Sequence, residues 1–154
     1  ATLFVMSILF GENRVALVEK RWESQIRDFS VLFGRYPDGL NSHEHTHFFP
    51  PYFGISVRLA KRYNIPFLRF GREYSSQLTL VSCILNVLRC VNKRTFFRSG
   101  LDSSDRMISF DWIGTLDRFK DDSEGKTVEI LFHPERDEEM EFLETNFLSS
   151  SSNG

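Results

Sequence analysis

The sequence has few of the features that mark secreted, membrane-spanning or nucleic-acid-binding proteins. It contains only two cysteines. Its formal net charge is -2, whereas binding to nucleic-acid phosphates requires a clustered excess of positive charge. The apolar residues 1–10 have no basic start and no small-residue cleavage pattern, and they are too few to cross a bilayer. We therefore expect a cytoplasmic protein that binds neither nucleic acid nor membrane. The sequence begins without Met inside an apolar run, a pattern typical of fragments, so we expect a fragment.

The two cysteines, Cys83 and Cys90, fall in an apolar segment that is predicted to be helical. They lie two turns apart, which is about 10 Å at the helical rise and too far for a disulfide within one helix. Their face also carries Leu80 and Val87, so we predict that it is buried. This pattern indicates two buried thiols in a reducing compartment.

The composition is that of an ordinary folded domain. Of 154 residues, 41% are hydrophobic and 26% are charged, which predicts a single domain over residues 1–154 and excludes a disordered chain. The small polar residues 148–154 are expected to form a disordered tail. Sixteen phenylalanines indicate a core or groove rich in flat apolar surface.

Hydrophobic spacing predicts helices that alternate with strands. This order calls for a parallel sheet with helices packed outside it, an α/β fold in which binding groups gather where strands end. Residues 71–73 are predicted to be a loop. The predicted helices are 15–29, 50–63, 76–91, 110–119 and 137–147, and the predicted strands are 40–45, 65–70, 95–98 and 127–132.

Three of the four histidines, His43, His45 and His47, alternate at the end of the first predicted strand and would all belong to it if the strand continued to His47. Successive side chains of a strand point to opposite faces, so these three would share one face. Imidazole is a neutral metal ligand or a proton donor near neutral pH. The pattern therefore indicates a metal or catalytic site, and a polar surface patch is the alternative.

Two further polar residues lie at predicted strand ends. Arg69 ends the second strand and His133 follows the last, so both are candidates to meet the three histidines at one rim. The alternative for Arg69 is a salt bridge with Glu73 or Asp38, and the alternative for His133 is a hydrogen bond to backbone.

These motifs together resemble the YdjC-like carbohydrate deacetylase family. The resemblance rests on residues 40–47 (LNSHEHTH), residues 62–66 (RYNIP) with Leu68-Arg69, and residues 132–134 (FHP), and it extends over about residues 15–147. It implies a variant of the (β/α) barrel and hydrolysis of the N-acetyl group of an amino sugar such as a chitooligosaccharide.

The resemblance also implies a cofactor and roles for particular residues. One divalent metal ion, magnesium or zinc, would have His43 as a ligand. His133 would protonate the departing sugar amine, while Arg69, His45 and His47 would line the substrate pocket.

The sequence departs from the family pattern in ways that bear on activity. Asn41 stands where the family usually has aspartate. The resemblance also implies two further metal ligands, the aspartate of an N-terminal Asp-Asp-Phe-Gly motif and a second histidine, and neither precedes Gly39 in this sequence. Four strands also cannot close an eight-stranded barrel. We therefore expect an incomplete barrel that represents the C-terminal part of a deacetylase.

The sequence also allows two other functions. One is a non-catalytic sugar-binding or interaction fragment that forms a homodimer by covering the open edge of its sheet. The other is a metal-dependent hydrolase of phosphoesters or glycosidic bonds. The sequence offers neither a glycine-rich phosphate loop nor a carboxylate pair at strand ends for that chemistry.

Overall fold

A computed structural model describes residues 12–73, 80–110, 123–133 and 135–145, with the side chains at positions 12, 43, 44 and 73 outside the description. This part of the chain contains both α-helices and short parallel strands, which confirms the mixed α/β class. The elements are α1 (Glu12–Phe33), β1 (Gly39–Leu40), a 3-10 helix (His43–Phe48), α2 (Pro50–Arg62), β2 (Phe67–Leu68), β3 (Arg72–Glu73), α3 (Leu80–Ser99), β4 (Arg106–Ser109), β5 (Val128–Leu131) and α4 (Asp137–Leu143).

Several sequence predictions fall outside the described residues. They concern the apolar residues 1–10, all of the helix 110–119 except its first residue, and the tail 148–154. The chain divides into two compact units, Ala1–Phe70 with Cys83–Ser103 and Gly71–Ser82 with Ser104–Gly154. The first unit contains the histidine-rich segment, and the second contains His133.

Helix α1 is amphipathic, as its spacing predicts, and extends beyond both predicted ends. It stops where Gly34 adopts a positive φ of 68° and donates its N–H to the Ser30 carbonyl at 2.9 Å. A left-handed residue after the last turn is a common helix end, and glycine adopts it without steric cost. The apolar stripe of α1 packs on the core of the first unit, which contains Ile26, Ile55, Leu59, Ala60 and Ile65.

Helix α2 also follows its prediction. Pro50 and Pro51 occupy its first turn, where the missing N–H groups have no helical partner to lose. Just beyond its end Asn64 has a positive φ of 53°, a conformation that asparagine adopts at the C-terminal ends of helices. On the outer side Arg58 forms a 2.7 Å ion pair with Glu19 of α1.

The described strands are parallel but do not close a barrel. β1 pairs with β2 in the first unit, with Gly39 opposite Phe67 and Leu40 opposite Leu68. In the second unit β3, β4 and β5 form a parallel sheet in that order. The prediction of a loop at 71–73 is wrong, because Arg72 and Glu73 pair with Arg106 and Met107. Strand β5 and its position before His133 are confirmed.

Helix α3 corrects two predictions. It continues through residues 95–98, which were predicted to be a strand, because buried Phe96 stacks on Phe70 with ring centroids 4.3 Å apart. The predicted burial of Cys83 and Cys90 is also wrong, since both thiols are free and exposed. The buried stripe lies on another face, at Ser82, Leu85, Asn92, Phe96 and Ser99.

Within the residues that the structure describes, no helix is both long and apolar enough to span a membrane.

Candidate functional site

The segment from His43 to Phe48 is a 3-10 helix, here called the histidine turn. The prediction that its three histidines share one face of a strand is therefore wrong. The cause is local, because the Ser42 hydroxyl accepts the backbone N–H of His47 at 2.8 Å and draws the chain into a turn. His45 has a positive φ of 55°, which a strand does not allow.

His47 lies at the centre of a hydrogen-bond network. Its Nε2 is 2.9 Å from the Arg69 carbonyl oxygen, an acceptor, so the proton of the neutral ring resides on Nε2. Nδ1 then accepts the Ser42 hydroxyl proton at 2.8 Å. Ser42 in turn accepts a hydrogen bond from Thr46 at 3.0 Å. Both ring nitrogens of His47 are thus engaged within the protein.

The environment of His47 keeps its imidazole neutral. The side chain is 1% exposed, and this burial lowers its pKa to about 4, even though the bond to the Arg69 carbonyl acts in the opposite direction. Charge on His45 and Arg69 lowers the pKa further. His47 therefore stays uncharged over the physiological range and holds the histidine turn in place.

Arg69 comes to the same site from the end of β2, where it is only 8% exposed. With the side-chain amide of Asn41 oriented to satisfy both groups, its oxygen accepts from the Arg69 guanidinium at 2.8 and 3.3 Å. Asn41 follows β1, the parallel neighbour of β2. The structure therefore brings together polar groups from two adjacent strand ends. Asp38, an alternative partner for Arg69, pairs with Arg35 at 2.6 Å.

An aromatic cluster lies beneath the histidine turn. Buried Phe48 stacks on Phe70 with centroids 5.9 Å apart, and His47 packs on Phe48 at 4.6 Å. Helix α3 fixes this layer through side chains that the sequence analysis missed. Asn92 donates to the Phe48 carbonyl at 2.6 Å, and Arg89 donates to the Phe70 carbonyl at 2.9 Å. No local sequence signal distinguishes these two residues from other polar residues of a helix.

A cavity of about 480 Å³ lies beside the histidine turn. Its lining includes Asn41, Ser42 and Thr46, together with Trp22 and other residues of α1. None of its lining residues is charged. Such a combination of an aromatic ring with amide and hydroxyl groups suits a neutral polar ligand.

His133 lies in the second unit, immediately beyond β5. Its side chain is 37% exposed, and its Nδ1 is 3.4 Å from Oε2 of Glu139. The same oxygen accepts the backbone N–H of His133 at 2.7 Å. Glu139 is 3% exposed, and the sequence does not single it out because its neighbours in α4 are equally acidic.

The described side chains do not assemble a metal site. Among them no group of three or more His, Cys, Asp and Glu residues could hold an ion. His47 is not available as a ligand, because both of its nitrogens are hydrogen bonded. The side chain of His43 lies outside the described part, so its role as a ligand stays a prediction.

The fold and the site together define the class of protein. It is an α/β protein with parallel strands, in which a histidine turn and an arginine follow neighbouring strands. The family model described as YdjC-like protein matches residues 2–152, and the chain therefore belongs to the YdjC-like family.

A curated relative supports the same assignment. The chain is 28% identical over 117 residues to a protein of Halalkalibacterium halodurans named carbohydrate deacetylase. That match covers 76% of this chain and 43% of the relative, so the chain spans less than half of the relative's length. No solved structure matches the chain significantly.

Proposed function

We propose that the chain carries part of the active site of a metal-dependent carbohydrate deacetylase, which hydrolyses the N-acetyl group of an amino sugar or chitooligosaccharide. The observation that carries this proposal is the family match over residues 2–152. The name of the bacterial relative supports it. The histidine turn beside Arg69 supplies the polar groups that such a reaction uses.

The reaction determines what the protein must supply. Water adds to the acetyl carbonyl carbon, and the bond from that carbon to the sugar nitrogen then breaks. The nitrogen keeps the electron pair of that bond and must gain a proton to leave as an amine. We assign this proton to His133, whose partly exposed ring follows β5.

A divalent ion, magnesium or zinc, belongs to the proposal because the family resemblance implies it. When bound, such an ion polarises the acetyl carbonyl and activates water. His43 is the proposed ligand from this chain. The described residues do not complete a ligand set with it.

The remaining proposed roles concern the substrate. Arg69 and His45 would donate hydrogen bonds to sugar hydroxyls near the histidine turn. His47, the third residue predicted to line the substrate pocket, has both ring nitrogens hydrogen bonded within the protein. We therefore propose that it does not contact the substrate and instead keeps the histidine turn in position. The parallel strands and α-helices are consistent with part of a (β/α) barrel, which stays a proposal. A cytoplasmic location also stays a proposal.

The proposal is tested by acetate release from N-acetylated chitooligosaccharides, with magnesium or zinc chloride added. We expect release by the intact protein that carries this chain, and a chelator should stop it. His133→Ala should lower it by about a hundredfold or more, the usual contribution of a general acid. His43→Ala should abolish it. The matched control Phe97→Ala, at an exposed position of α3, should keep full release. Full turnover by His133→Ala would end its assignment as the acid.

A second candidate function is sugar binding without catalysis, in a chain that self-associates through its open sheet edge. The neutral cavity beside Trp22 and the absence of a ligand cluster among the described residues favour it. Sedimentation, together with titration of N-acetylated oligosaccharide, separates the two candidates. A dimer that binds sugar but releases no acetate, with either ion, would establish the second function and contradict the first.

A further inference from the structure

Glu139 is a buried carboxylate outside the set of residues that the sequence points to. It sits in the first turn of α4 and is 3% exposed. A buried carboxylate needs partners to offset the loss of its hydration. Oε1 accepts from the Arg136 guanidinium at 2.8 Å, and Oε2 accepts the backbone N–H of His133 at 2.7 Å.

The same Oε2 also faces the ring of His133. It lies 3.4 Å from Nδ1, and that nitrogen is buried without a hydrogen-bond partner in the described structure. Since the side chain as a whole is 37% exposed, its exposure comes from ring atoms other than Nδ1. Nε2 is the remaining nitrogen and therefore the one available to a substrate.

We propose that Glu139 is the positioning residue of His133, holding a proton on Nδ1 so that Nε2 is the atom that protonates the sugar amine. The inference rests on the proposed deacetylation. As the carbon–nitrogen bond breaks, its electron pair stays on the amine nitrogen, and the proton on Nε2 of the imidazolium moves to that nitrogen. The ring is left neutral, with its remaining proton on Nδ1 facing the carboxylate. A small shortening of the 3.4 Å separation makes this a hydrogen bond.

A purely structural role for Glu139 predicts something different. Glu139 is the third residue of α4, and its carboxylate reaches back to a backbone N–H, as a helix-capping side chain does. If capping were its whole function, loss of the charge would loosen the start of α4. The proton position on His133 would then not depend on the carboxylate.

The test combines Glu139→Gln with two matched variants. Glu138→Gln removes a neighbouring exposed carboxylate, and Arg136→Gln removes the ion pair while it leaves the Glu139 carboxylate in place. Nitrogen-15 NMR of the histidine rings reports which nitrogen of neutral His133 carries the proton. Acetate release gives kcat and KM separately.

We expect wild type, Glu138→Gln and Arg136→Gln to hold the proton of His133 on Nδ1. Glu139→Gln should move this proton largely to Nε2. It should also lower kcat about tenfold or more and leave KM within about twofold, because the contact between Glu139 and His133 would act in the transition state and not in substrate binding. Glu139→Asp should recover part of kcat. An unchanged proton position together with the kcat of Glu138→Gln would overturn the inference. A shifted proton with no acetate release even by wild type would uphold the pairing and reject the proposed function.

If Glu139→Gln does not fold, the Arg136→Gln variant decides. It disturbs the same turn while keeping the carboxylate, so the inference predicts a proton on Nδ1. A proton on Nε2 in that variant, or in wild type, would overturn the inference.

Discussion

Nε2 of His47 donates a hydrogen bond to the carbonyl oxygen of Arg69 at 2.9 Å, with both residues inside the protein. This bond joins the segment after β1 to the segment after β2. The two strands are parallel neighbours, so the bond fixes the histidine turn relative to the arginine that accompanies it. His47, one of the three alternating histidines, therefore has a structural role, because it positions the histidine turn and Arg69.

The first prediction concerns Ser42, whose hydroxyl serves three partners at once. Ser42→Ala removes the donor to Nδ1 of His47 and the acceptor for the His47 N–H. Leaving partly buried polar groups without partners should lower the free energy of unfolding by about 1–3 kcal/mol, measured by urea denaturation. The control Ser24→Ala, at an exposed position of α1, should change it by less than about 0.5 kcal/mol. Equal effects of the two variants would contradict the network.

The second prediction is a pH dependence that arises from His47. Its pKa is lowered from 6.5 to about 4 in the folded protein, so between these values the unfolded chain binds more protons. Stability contributed by this group is therefore complete above about pH 6.5 and lost as the pH falls toward 4. The loss amounts to up to about 3 kcal/mol.

Urea denaturation of wild type and His47→Gln, repeated between about pH 7 and pH 4.5, measures this contribution. The variant should be less stable at neutral pH and should lose less stability on acidification. Parallel pH profiles for the two proteins would exclude His47 as the source. A glutamine side chain retains an amide that can donate toward the Arg69 carbonyl, which favours folding of the variant.

The third prediction concerns Phe70 and the aromatic cluster beneath the histidine turn. Its ring lies 5.1 Å from Phe53 and 4.3 Å from Phe96, and the Arg89 guanidinium carbon is 5.0 Å above it. Phe70→Ala should lower the free energy of unfolding by about 3–5 kcal/mol, the usual cost of a buried Phe. Phe97→Ala, at a site that is 65% exposed, should cost about 1 kcal/mol or less. A comparable cost at both positions would refute the arrangement.

The fourth prediction follows from the exposure of Cys83 and Cys90. Both thiols of the native protein should react with Ellman's reagent at a rate close to that of the urea-unfolded chain, because access is not limited by burial. Single Cys→Ser variants identify each contribution. If the thiols reacted only after denaturation, the structure would be contradicted and the burial of Cys83 and Cys90 predicted from the sequence would be supported.

Helical periodicity located α1 and α2 well because their polar and apolar faces differ clearly. In α3 it failed to choose the buried face, since apolar residues occur around much of the helix. Leu80 and Val87 are 78% and 63% exposed, whereas polar Asn92 is buried. Asn92 tolerates burial because it donates to the Phe48 carbonyl. A pairing of this kind links residues far apart in the chain and leaves no local pattern.

The site shows a similar limit. The alternating histidines suggested a strand, but the hydrogen bonds of the Ser42 hydroxyl favour a turn, and such local side-chain bonds compete with strand pairing. The placement of Arg69 beside the segment after β1 was predictable, because neighbouring parallel strands end at one edge. Glu139 could not be singled out, since its burial separates it from equally acidic neighbours only in three dimensions.

The most direct measurement of the central structural claim is a nitrogen-15 NMR spectrum of the His47 ring at about pH 5.5. A neutral ring with its proton on Nε2 is the predicted result, because the pKa of about 4 lies well below that pH. Ser42→Ala should weaken the signature of Nδ1 as a hydrogen-bond acceptor. A doubly protonated ring at that pH, or a proton on Nδ1, would contradict the account of how the histidine turn is held.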